Sequence, residues 1–465
     1  MSSVAQNKVD WVPDLNTSAM PRYLAIVEAI ARDISAGRLT AGDRLPPQRR
    51  LADRLNVDFT TVARAYVEAQ SRGLVSSTVG RGTFIAARIA KPAATPQPIM
   101  VDFSMNLPPE PDDPALIAKM QAGLLDIGQD LVTLLRYQSF GGTGEAKQAA
   151  SVLLNRRGLT PTAEQLFITA GAHAAILSIL TILAKPGETI LTEAITYPGA
   201  RSIAAQCGLK LVGLPMDEQG IDPDALRDAC RDLHPKALYL NPTLHNPTTI
   251  TMPAARRMAI AEIAQRFKMP IIEDDAYGFI ATHAPAPFAA LAPELTWHIA
   301  GLSKCFGAGL RCAYVIAPNA QAAWPFVAAA RAATVMASPL TVALATRWIE
   351  DGTAEAILRF IRKETTARQA IAREVLSGHP FQSDPLSFSL WLPLPAPWTR
   401  SAFVGQMQAR GIGIVPSDAF TVAGIAPEAV RLCLGGPTQL PEIRSALAFV
   451  AHALTESPAL ASHYL

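Results

Sequence analysis

The sequence predicts an α/β protein in two parts, a small helical domain followed by a large domain on a mostly parallel, doubly wound sheet. Three observations predict this. Helical periodicity and a hairpin pattern fill the first ninety residues. From Leu166 onward, seven short apolar runs alternate with helical stretches, as in βαβ units. Between them lies a proline- and alanine-rich segment with no core-forming run. We expect domains over residues 18–86 and 101–457, joined by a tether over 87–100.

Composition and charge are those of a globular chain with one basic end. Of 465 residues, 49% are hydrophobic and 17% charged, which predicts a folded protein. Up to Lys91, 13 Lys and Arg oppose 8 Asp and Glu, a net +5, whereas the remainder has 28 against 31, a net −3. The positive excess therefore predicts a polyanion partner for the first part only.

Cysteine usage and the N-terminus favour a reducing cytoplasm. The five cysteines are odd in number and form no C-x-x-C pair, so a disulfide framework is not expected. The eight histidines show no metal-ligand spacing, and we expect no metal site. The start MSSVAQNKVDW lacks a signal pattern, and the longest apolar stretch, Ala174–Ala184, is too short to span a bilayer.

The first domain has the pattern of a winged helix-turn-helix. Apolar residues of YLAIVEAIARDI recur at i, i+3, i+4, i+7 and i+11, which predicts an amphipathic helix. Gln48–Leu55 and Thr60–Arg72 are predicted to be two further helices joined by a tight turn. LVSSTVGRGTFI then predicts a hairpin, the wing, with Arg81 at its tip.

Arginines stand where they could reach a polyanion. Arg49 begins the second helix, Arg64 lies on the third and Arg81 is at the wing tip, so long cations could reach phosphates or a groove. On pattern alone, a small helical bundle with a hairpin is the alternative to a DNA-binding domain.

The residue identities in this domain are more specific than its helical periodicity. LPPQRRLADRLNVDFTTVARAYVEAQSRGLV followed by GRGTFI closely resembles the winged helix-turn-helix of the GntR family of bacterial regulators, over residues 21–85. The resemblance implies that the DNA-binding residues are Arg49, Thr60, Thr61, Arg64 and Arg81. That family usually has an arginine where Phe59 stands, so one phosphate or base contact is missing or replaced by an apolar one.

In the large domain, the stretch WHIAGLSKCFGAGLR places Lys304 between an apolar run and a Gly-rich turn. The run predicts a buried strand, so Lys304 would lie at a strand's C-terminal end, where open α/β sheets bind ligands. Desolvation lowers an amine's pKa, and a neutral amine forms a Schiff base with an aldehyde. Arg311 suits a phosphate. An aldehyde that carries a phosphate suggests pyridoxal phosphate; a solvated loop lysine is the alternative.

Other strand ends carry groups that suit the same cofactor. Gly171 and Ala172 begin a helix whose N–H groups could hold a phosphate, and Tyr197 on a turn could stack on a flat ring. The Asn246 amide could bond a ring hydroxyl, and Asp274 could pair with a protonated pyridine nitrogen. Each has an ordinary alternative: a turn starter, a solvated cap or a core aromatic.

Residues 101–447 resemble the fold type I aminotransferases, which use pyridoxal phosphate. HNPTT resembles their HNPTG, EDDAY their acid-x-x-Tyr element, and GLSKCFGAGLR their SxSK with an arginine seven residues later. The resemblance implies a smaller C-terminal α+β subdomain. It also implies a role for each of these residues: Lys304 as Schiff-base lysine, Asp274 at the pyridine nitrogen, Tyr277 and Asn246 at the ring hydroxyl, Tyr197 stacked on the ring, Gly171, Ala172, Ser303 and Arg311 at the phosphate, Tyr137 at the partner subunit's phosphate in a homodimer, and Arg431 at a substrate carboxylate.

The sequence departs from the aminotransferase pattern at a few places. Gly301 replaces a serine at the cost of at most one phosphate hydrogen bond, and Lys147, His173 and Thr249 replace residues that bear on substrate fit. None of these changes removes a group that the cofactor needs.

Joined by a tether, the two domains resemble the MocR/GabR regulators over the whole chain. The leading hypothesis is a regulator of transcription that binds operator DNA, holds pyridoxal 5'-phosphate as an internal aldimine, and senses an amino compound or the free vitamer. The second is an aminotransferase in which Lys304 moves the proton as general base and the winged helix is an accessory. The third is a DNA-binding protein with an empty aminotransferase fold. The residues for binding the cofactor and for transamination are the same, so the sequence alone leaves these open.

Overall fold

The structure is a computed structural model that describes residues 10–13, 21–40, 42–71, 74–78, 82–85 and 101–456. The chain divides into two compact units, residues 1–95 and 96–465. The predicted tether over 87–100 and the wing tip with Arg81 lie outside the described residues. The predicted domain boundaries therefore stay predictions.

The described residues of the first unit form three helices and a pair of hairpin strands, as the sequence predicts. Its elements are α1 (Arg22–Ser35), α2 (Gln48–Leu55), α3 (Phe59–Ser71), β1 (Val75–Thr78) and β2 (Gly82–Ile85). The two strands pair antiparallel. The helices bury one apolar face each around a common core that includes Ile26, Ile30, Leu51, Val62 and Tyr66. This burial stabilises helices that are too short to be stable alone.

The turn between α2 and α3 is set by two residues. Asn56 adopts a left-handed conformation with φ of 47°, which asparagine tolerates better than most residues and which ends α2. Asp58 accepts a hydrogen bond from the backbone N–H of Thr60 at 2.8 Å, which satisfies a free N–H group of the first turn. The third helix consequently begins at Phe59, one residue earlier than predicted.

The second unit is a sheet covered by helices, with a smaller subdomain at its C-terminal end. Its helices are α4 (Pro114–Ile127), α5 (Leu131–Leu134), α6 (Gly144–Asn155), α7 (Ala172–Leu183), α8 (Pro198–Gln206), α9 (Pro223–Leu233), α10 (Ala254–Phe267), α11 (Phe288–Leu291), α12 (Ala320–Thr334), α13 (Pro339–Glu350), α14 (Thr353–Val375), α15 (Arg400–Ala409) and α16 (Leu440–Thr455). Its strands are β3 (Val101–Asp102), β4 (Leu166–Thr169), β5 (Thr189–Glu193), β6 (Lys210–Leu214), β7 (Met216–Asp217), β8 (Gly220–Ile221), β9 (Ala237–Leu240), β10 (Ile271–Asp274), β11 (Thr296–Gly301), β12 (Ala313–Ile316), β13 (Ser389–Pro393), β14 (Ile412–Gly413), β15 (Val415–Pro416) and β16 (Ala429–Cys433).

The main sheet has seven strands in the order β4-β12-β11-β10-β9-β5-β6. Each of the seven apolar runs supplies one of them, which confirms the predicted doubly wound α/β class. All neighbouring pairs are parallel except those made by β12, which runs antiparallel to both β11 and β4. Strands β9, β10 and β11 lie side by side in the middle and are fully buried, which explains their nearly continuous apolar sequence.

The smaller subdomain is α+β, as the resemblance implied. A three-stranded antiparallel sheet, β13-β16-β15, packs with α14, α15 and α16 around a separate core. Its central strand β16 carries Arg431. Strand β3, close after the predicted tether, pairs with β14, so the chain entering this unit first joins the smaller subdomain.

Among the described residues, no single helix has both the length and the apolar composition of a membrane span. One pair of helices, α12 and α13, meets these criteria together but is bent by 119°.

Candidate functional site

The C-terminal ends of the central strands bring the predicted cofactor residues together. Parallel pairing aligns Asp274 at the end of β10 with Ile299 of β11. Lys304 follows β11 in a short 3-10 turn. The charges of Asp274, Arg311 and Arg431 each influence the pKa of Lys304, so these three groups lie around its amine.

Asp274 presents one free carboxylate oxygen inside the protein. Its Oδ2 accepts a hydrogen bond of 2.8 Å from the hydroxyl of the buried Tyr239. Within the described part of the chain, its Oδ1 is buried and has no hydrogen-bond partner. Burial raises the pKa of this carboxyl to about 6. A cationic N–H donor placed at Oδ1 would lower that pKa and satisfy the oxygen.

Lys304 is an amine held in a desolvated position. Burial lowers the pKa of its ammonium group below the ordinary value, which increases the fraction present as the neutral nucleophile. Its Nζ donates a hydrogen bond to the backbone carbonyl of Asn106. The predicted position of Lys304 at a strand end is confirmed.

Tyr277 and Asn246 each retain a polar group for a ligand. The Asn106 side-chain amide donates to the Tyr277 hydroxyl at 2.5 Å, so the hydroxyl proton of Tyr277 stays available for donation. Asn246 accepts a hydrogen bond from Arg431 at its Oδ1 (2.9 Å), which leaves its NH₂ group as a donor. Both arrangements suit a ligand oxygen such as a ring hydroxyl.

Asn241 links the two sides of the site. Its side-chain NH₂ donates to the backbone carbonyl of Asp274 at 2.6 Å, and its Oδ1 accepts from the backbone N–H of Asn246 at 2.8 Å. One buried amide therefore links the backbone of Asp274 to the backbone of Asn246.

Arg431 enters the site from the smaller subdomain. It is only 5% exposed, and one of its nitrogens donates to the backbone carbonyl of Ser104 at 2.5 Å. Its buried Nε has no partner among the described residues. Burial lowers its pKa, but a guanidinium stays charged at neutral pH. A ligand carboxylate would compensate this charge.

The opposite end of the site has the features of an anion cradle. Gly171, with φ of 93°, caps α7, and no side chain among the described residues caps this helix, which suits its N-terminus to an anion. A Cβ at Gly171 would lie 3.2 Å from Nη2 of Arg311, so this glycine permits the close approach of the guanidinium. Ala172 and Ser303 flank the same region through the start of α7 and the turn after β11.

Tyr197, predicted to stack on a cofactor ring, is held in place by its own turn. It precedes α8, and its ring folds back over Gly199, where a Cβ would lie 2.3–2.5 Å from ring atoms. Gly199 is therefore needed for this ring orientation. Burial raises the pKa of the Tyr197 hydroxyl, with Asp274 contributing further.

Residues 104–107 cover the site and were not predicted to belong to it. Ser104 and Asn106 bond Arg431, Lys304 and Tyr277, as described above. Gly435 makes room for them, because a Cβ there would lie 1.7 Å from the Leu107 carbonyl oxygen. The segment has no helical or strand periodicity, and nothing in its sequence signals this role. Tyr239 and Asn241 were also missed, although a tyrosine within a buried strand requires a polar partner.

Tyr137 is the predicted cofactor residue that lies apart from this set. Its side chain is 81% exposed. A role at a partner's phosphate stays a prediction.

The first unit exposes most of the predicted DNA-binding side chains. Arg49, Thr60 and Arg64 are exposed, and Thr61 is half-buried. The Arg64 guanidinium lies 4.0 Å from the centre of the Tyr23 ring, which orients it by a cation–π contact. Arg49 lies 5.8 Å from the ring of Phe59.

A model of the family "Aminotransferase class I and II" matches residues 98–447. The chain belongs to this family. Members of this aminotransferase family depend on pyridoxal phosphate. A crystal structure of an archaeal alanine:glyoxylate aminotransferase shares the fold, with a TM-score of 0.69, 23% identity, and coverage of 76% of this chain and 91% of that one.

A second model, "Bacterial regulatory proteins, gntR family", matches residues 22–85. The protein is therefore a GntR-type DNA-binding regulator fused to an aminotransferase-like domain, which confirms the MocR-type arrangement that the sequence predicted. The uncharacterized HTH-type transcriptional regulator YdeF of Bacillus subtilis (strain 168) is 28% identical over 98% of this chain and 99% of its own length. The HTH-type pyridoxine biosynthesis transcriptional regulator PdxR of Corynebacterium glutamicum is 30% identical over 64% and 66%.

The raised pKa of Asp274 predicts that the stability of the aminotransferase-like domain depends on pH. Its folded-state pKa of about 6 exceeds the ordinary 3.8, so the folded state binds the proton more tightly and loses stability as pH rises between these values. In protein without any added cofactor, raising the pH from 5 to 8 should destabilise the wild type by about 1.4 kcal/mol relative to Asp274→Asn. Urea unfolding at both pH values measures this difference; parallel pH profiles would contradict the desolvated carboxylate.

Proposed function

We propose that this regulator binds pyridoxal 5'-phosphate covalently through Lys304 and responds to an amino compound or to the free vitamer by altering its hold on operator DNA. The proposal is supported chiefly by two buried groups near each other, the Asp274 carboxylate and the Lys304 amine. One carboxylate oxygen of Asp274 has no hydrogen-bond partner among the described residues, and the charge of Asp274 interacts with a Lys304 amine of lowered pKa. A ligand with a cationic nitrogen and an aldehyde satisfies both.

Each end of the cofactor has a matching protein group. Asp274 would pair with the ring nitrogen, Tyr277 and Asn246 with the ring hydroxyl, and Tyr197 would cover the ring face. Gly171, Ala172, Ser303 and Arg311 would hold the phosphate. When bound, pyridoxal phosphate supplies an aldehyde that reacts reversibly with primary amines and a ring that withdraws electrons. Arg431 would orient an incoming amine that carries a carboxylate.

The contacts of residues 104–106 favour a sensing role. The Lys304 amine donates to the Asn106 carbonyl, and Arg431 donates to the Ser104 carbonyl. A ligand that binds Lys304 or Arg431 competes for these hydrogen-bond donors. Residues 104–106 would then have one state with these hydrogen bonds and another without them, and a ligand-controlled switch requires two such states. Because the segment closely follows the predicted tether in the chain, its change acts at the covalent connection to the DNA-binding unit. The relative PdxR is named as a regulator of pyridoxine biosynthesis, which agrees with a vitamer or amine as the signal.

A homodimer is part of the proposal. Large apolar side chains are exposed along residues 124–140, a concentration that suits an interface; they are Leu124, Leu125, Leu131, Val132, Leu135, Tyr137 and Phe140. Tyr137 in this stretch would then reach a partner's phosphate. Sedimentation of the full-length chain tests this, because a monomer at micromolar concentration would remove the role given to Tyr137.

DNA binding through Arg64 is tested by its salt dependence. Arg64 is exposed on α3 and held over Tyr23. Arg64→Ala should weaken binding to the DNA upstream of the protein's own gene and reduce the slope of log K against log salt by about one, since one phosphate contact is lost. Arg32→Ala, an exposed arginine of α1 (58% exposed side chain), is the matched control and should leave the slope unchanged. Equal slopes for wild type and Arg64→Ala would refute the proposed contact.

A further inference from the structure

Phe59, the first residue of α3, carries an exposed aromatic ring that the fold does not use. Its side chain is 44% exposed. The core of the first unit instead takes Val62, Ala65, Tyr66 and Ala69 from the later turns of the same helix. Exposing a large apolar side chain to water is unfavourable in free energy, and this one does not contribute to the core.

The neighbours of Phe59 make its ring the distinctive group at this end of α3. Thr60 donates its hydroxyl proton to Asp58 at 2.5 Å, so that donor is used within the protein. The Arg49 guanidinium lies 5.8 Å from the Phe59 ring centre, and Arg49 is itself exposed. A flat apolar surface and a cation therefore occupy one patch.

We propose that Phe59 is a specificity-determining residue that contacts the 5-methyl group of a thymine in the major groove, beside a phosphate contact by Arg49. The inference rests on the proposed DNA-binding function and deepens it. The N-terminal residues of a recognition helix face base edges. A phenyl ring has no hydrogen-bonding group, and the thymine methyl is the apolar feature that a base presents in the major groove. Phe59 accordingly selects for thymine at one position of each half-site.

Deoxyuridine substitution tests this contact, because it removes the methyl group alone. Full-length protein first selects sites from a library of random duplexes. The enriched site is then synthesised with each thymine replaced singly by deoxyuridine. For the wild type, Kd should rise about fourfold at the contacted thymine, the value of one buried methyl-sized group, and stay constant at the others.

Variants at Phe59 assign the effect to this side chain. Phe59→Ala should bind the unsubstituted site more weakly and show no further loss on deoxyuridine substitution. Phe59→Leu, which keeps an apolar side chain, should retain part of the sensitivity. Val67→Ala changes another exposed apolar residue of α3, 68% exposed, and should behave as wild type. All variants are compared by thermal unfolding, which should not change because the ring lies outside the core.

The outcomes separate this inference from the function on which it rests. Enrichment of a specific site with no thymine sensitive to deoxyuridine, or with equal sensitivity in Phe59→Ala, overturns the role of Phe59 and leaves DNA binding intact. Failure of the wild type to enrich any sequence overturns operator recognition itself, and the inference with it.

Discussion

Replacing Lys304 with alanine should abolish the covalent attachment of pyridoxal phosphate. The Lys304 amine has a lowered pKa because it is buried, and its charge interacts with that of Asp274. Alanine removes this amine, and with it the nitrogen that would bond the cofactor aldehyde. The purified wild type should therefore show a visible absorption band. Borohydride reduction should remove this band and fix the cofactor to the chain, which increases the mass of the protein. Lys304→Ala should show neither the band nor the mass increase.

Lys147→Ala provides the matched control for this experiment. Burial also lowers the pKa of Lys147, but its Nζ donates to the Ala163 carbonyl at 2.7 Å, near the Phe167 ring and away from Asp274. This variant should keep the band. A reducible band that persists in Lys304→Ala, with mass added at another lysine, would contradict the assignment of the site.

The sequence was sufficient to predict the strands that build the site. Each apolar run, from LFIT to AYVI, became a strand of the main sheet, because strands covered on both faces need apolar side chains throughout. It did not predict their order. The antiparallel insertion of β12 between β11 and β4 depends on long-range packing that leaves no local pattern.

Local sequence patterns predicted the site residues only where a reactive side chain stands at or just after the end of a strand. Lys304 and Asp274 come directly after β11 and at the end of β10, so their convergence follows from the sheet. Arg431 comes from a separate subdomain and was predicted by resemblance alone. Asn106 lies in an aperiodic segment and bonds Lys304 and Tyr277 through contacts that only the folded chain reveals.

Replacing Arg431 with glutamine should make the protein indifferent to a ligand's carboxylate. The wild-type guanidinium is 5% exposed, and its Nε has no partner among the described residues. Glutamine keeps a polar NH₂ group but is shorter than arginine and removes the buried charge. Loss of a buried carboxylate partner costs about 2–4 kcal/mol, roughly a 30- to 700-fold increase in Kd. Spectral titration of the cofactor-loaded protein with amino acids measures this.

The matched ligands for Arg431→Gln are the amines that lack the carboxylate of each amino acid. Their affinity should be equal in wild type and variant, because neither uses the guanidinium. An unchanged cofactor band in the variant shows that the site is intact. A wild type that binds the two ligand classes equally would contradict the carboxylate role of Arg431. Sustained turnover of a bound amino acid with a keto acid, near the enzymatic median of about 10 s⁻¹, would favour transamination over sensing as the work of this domain.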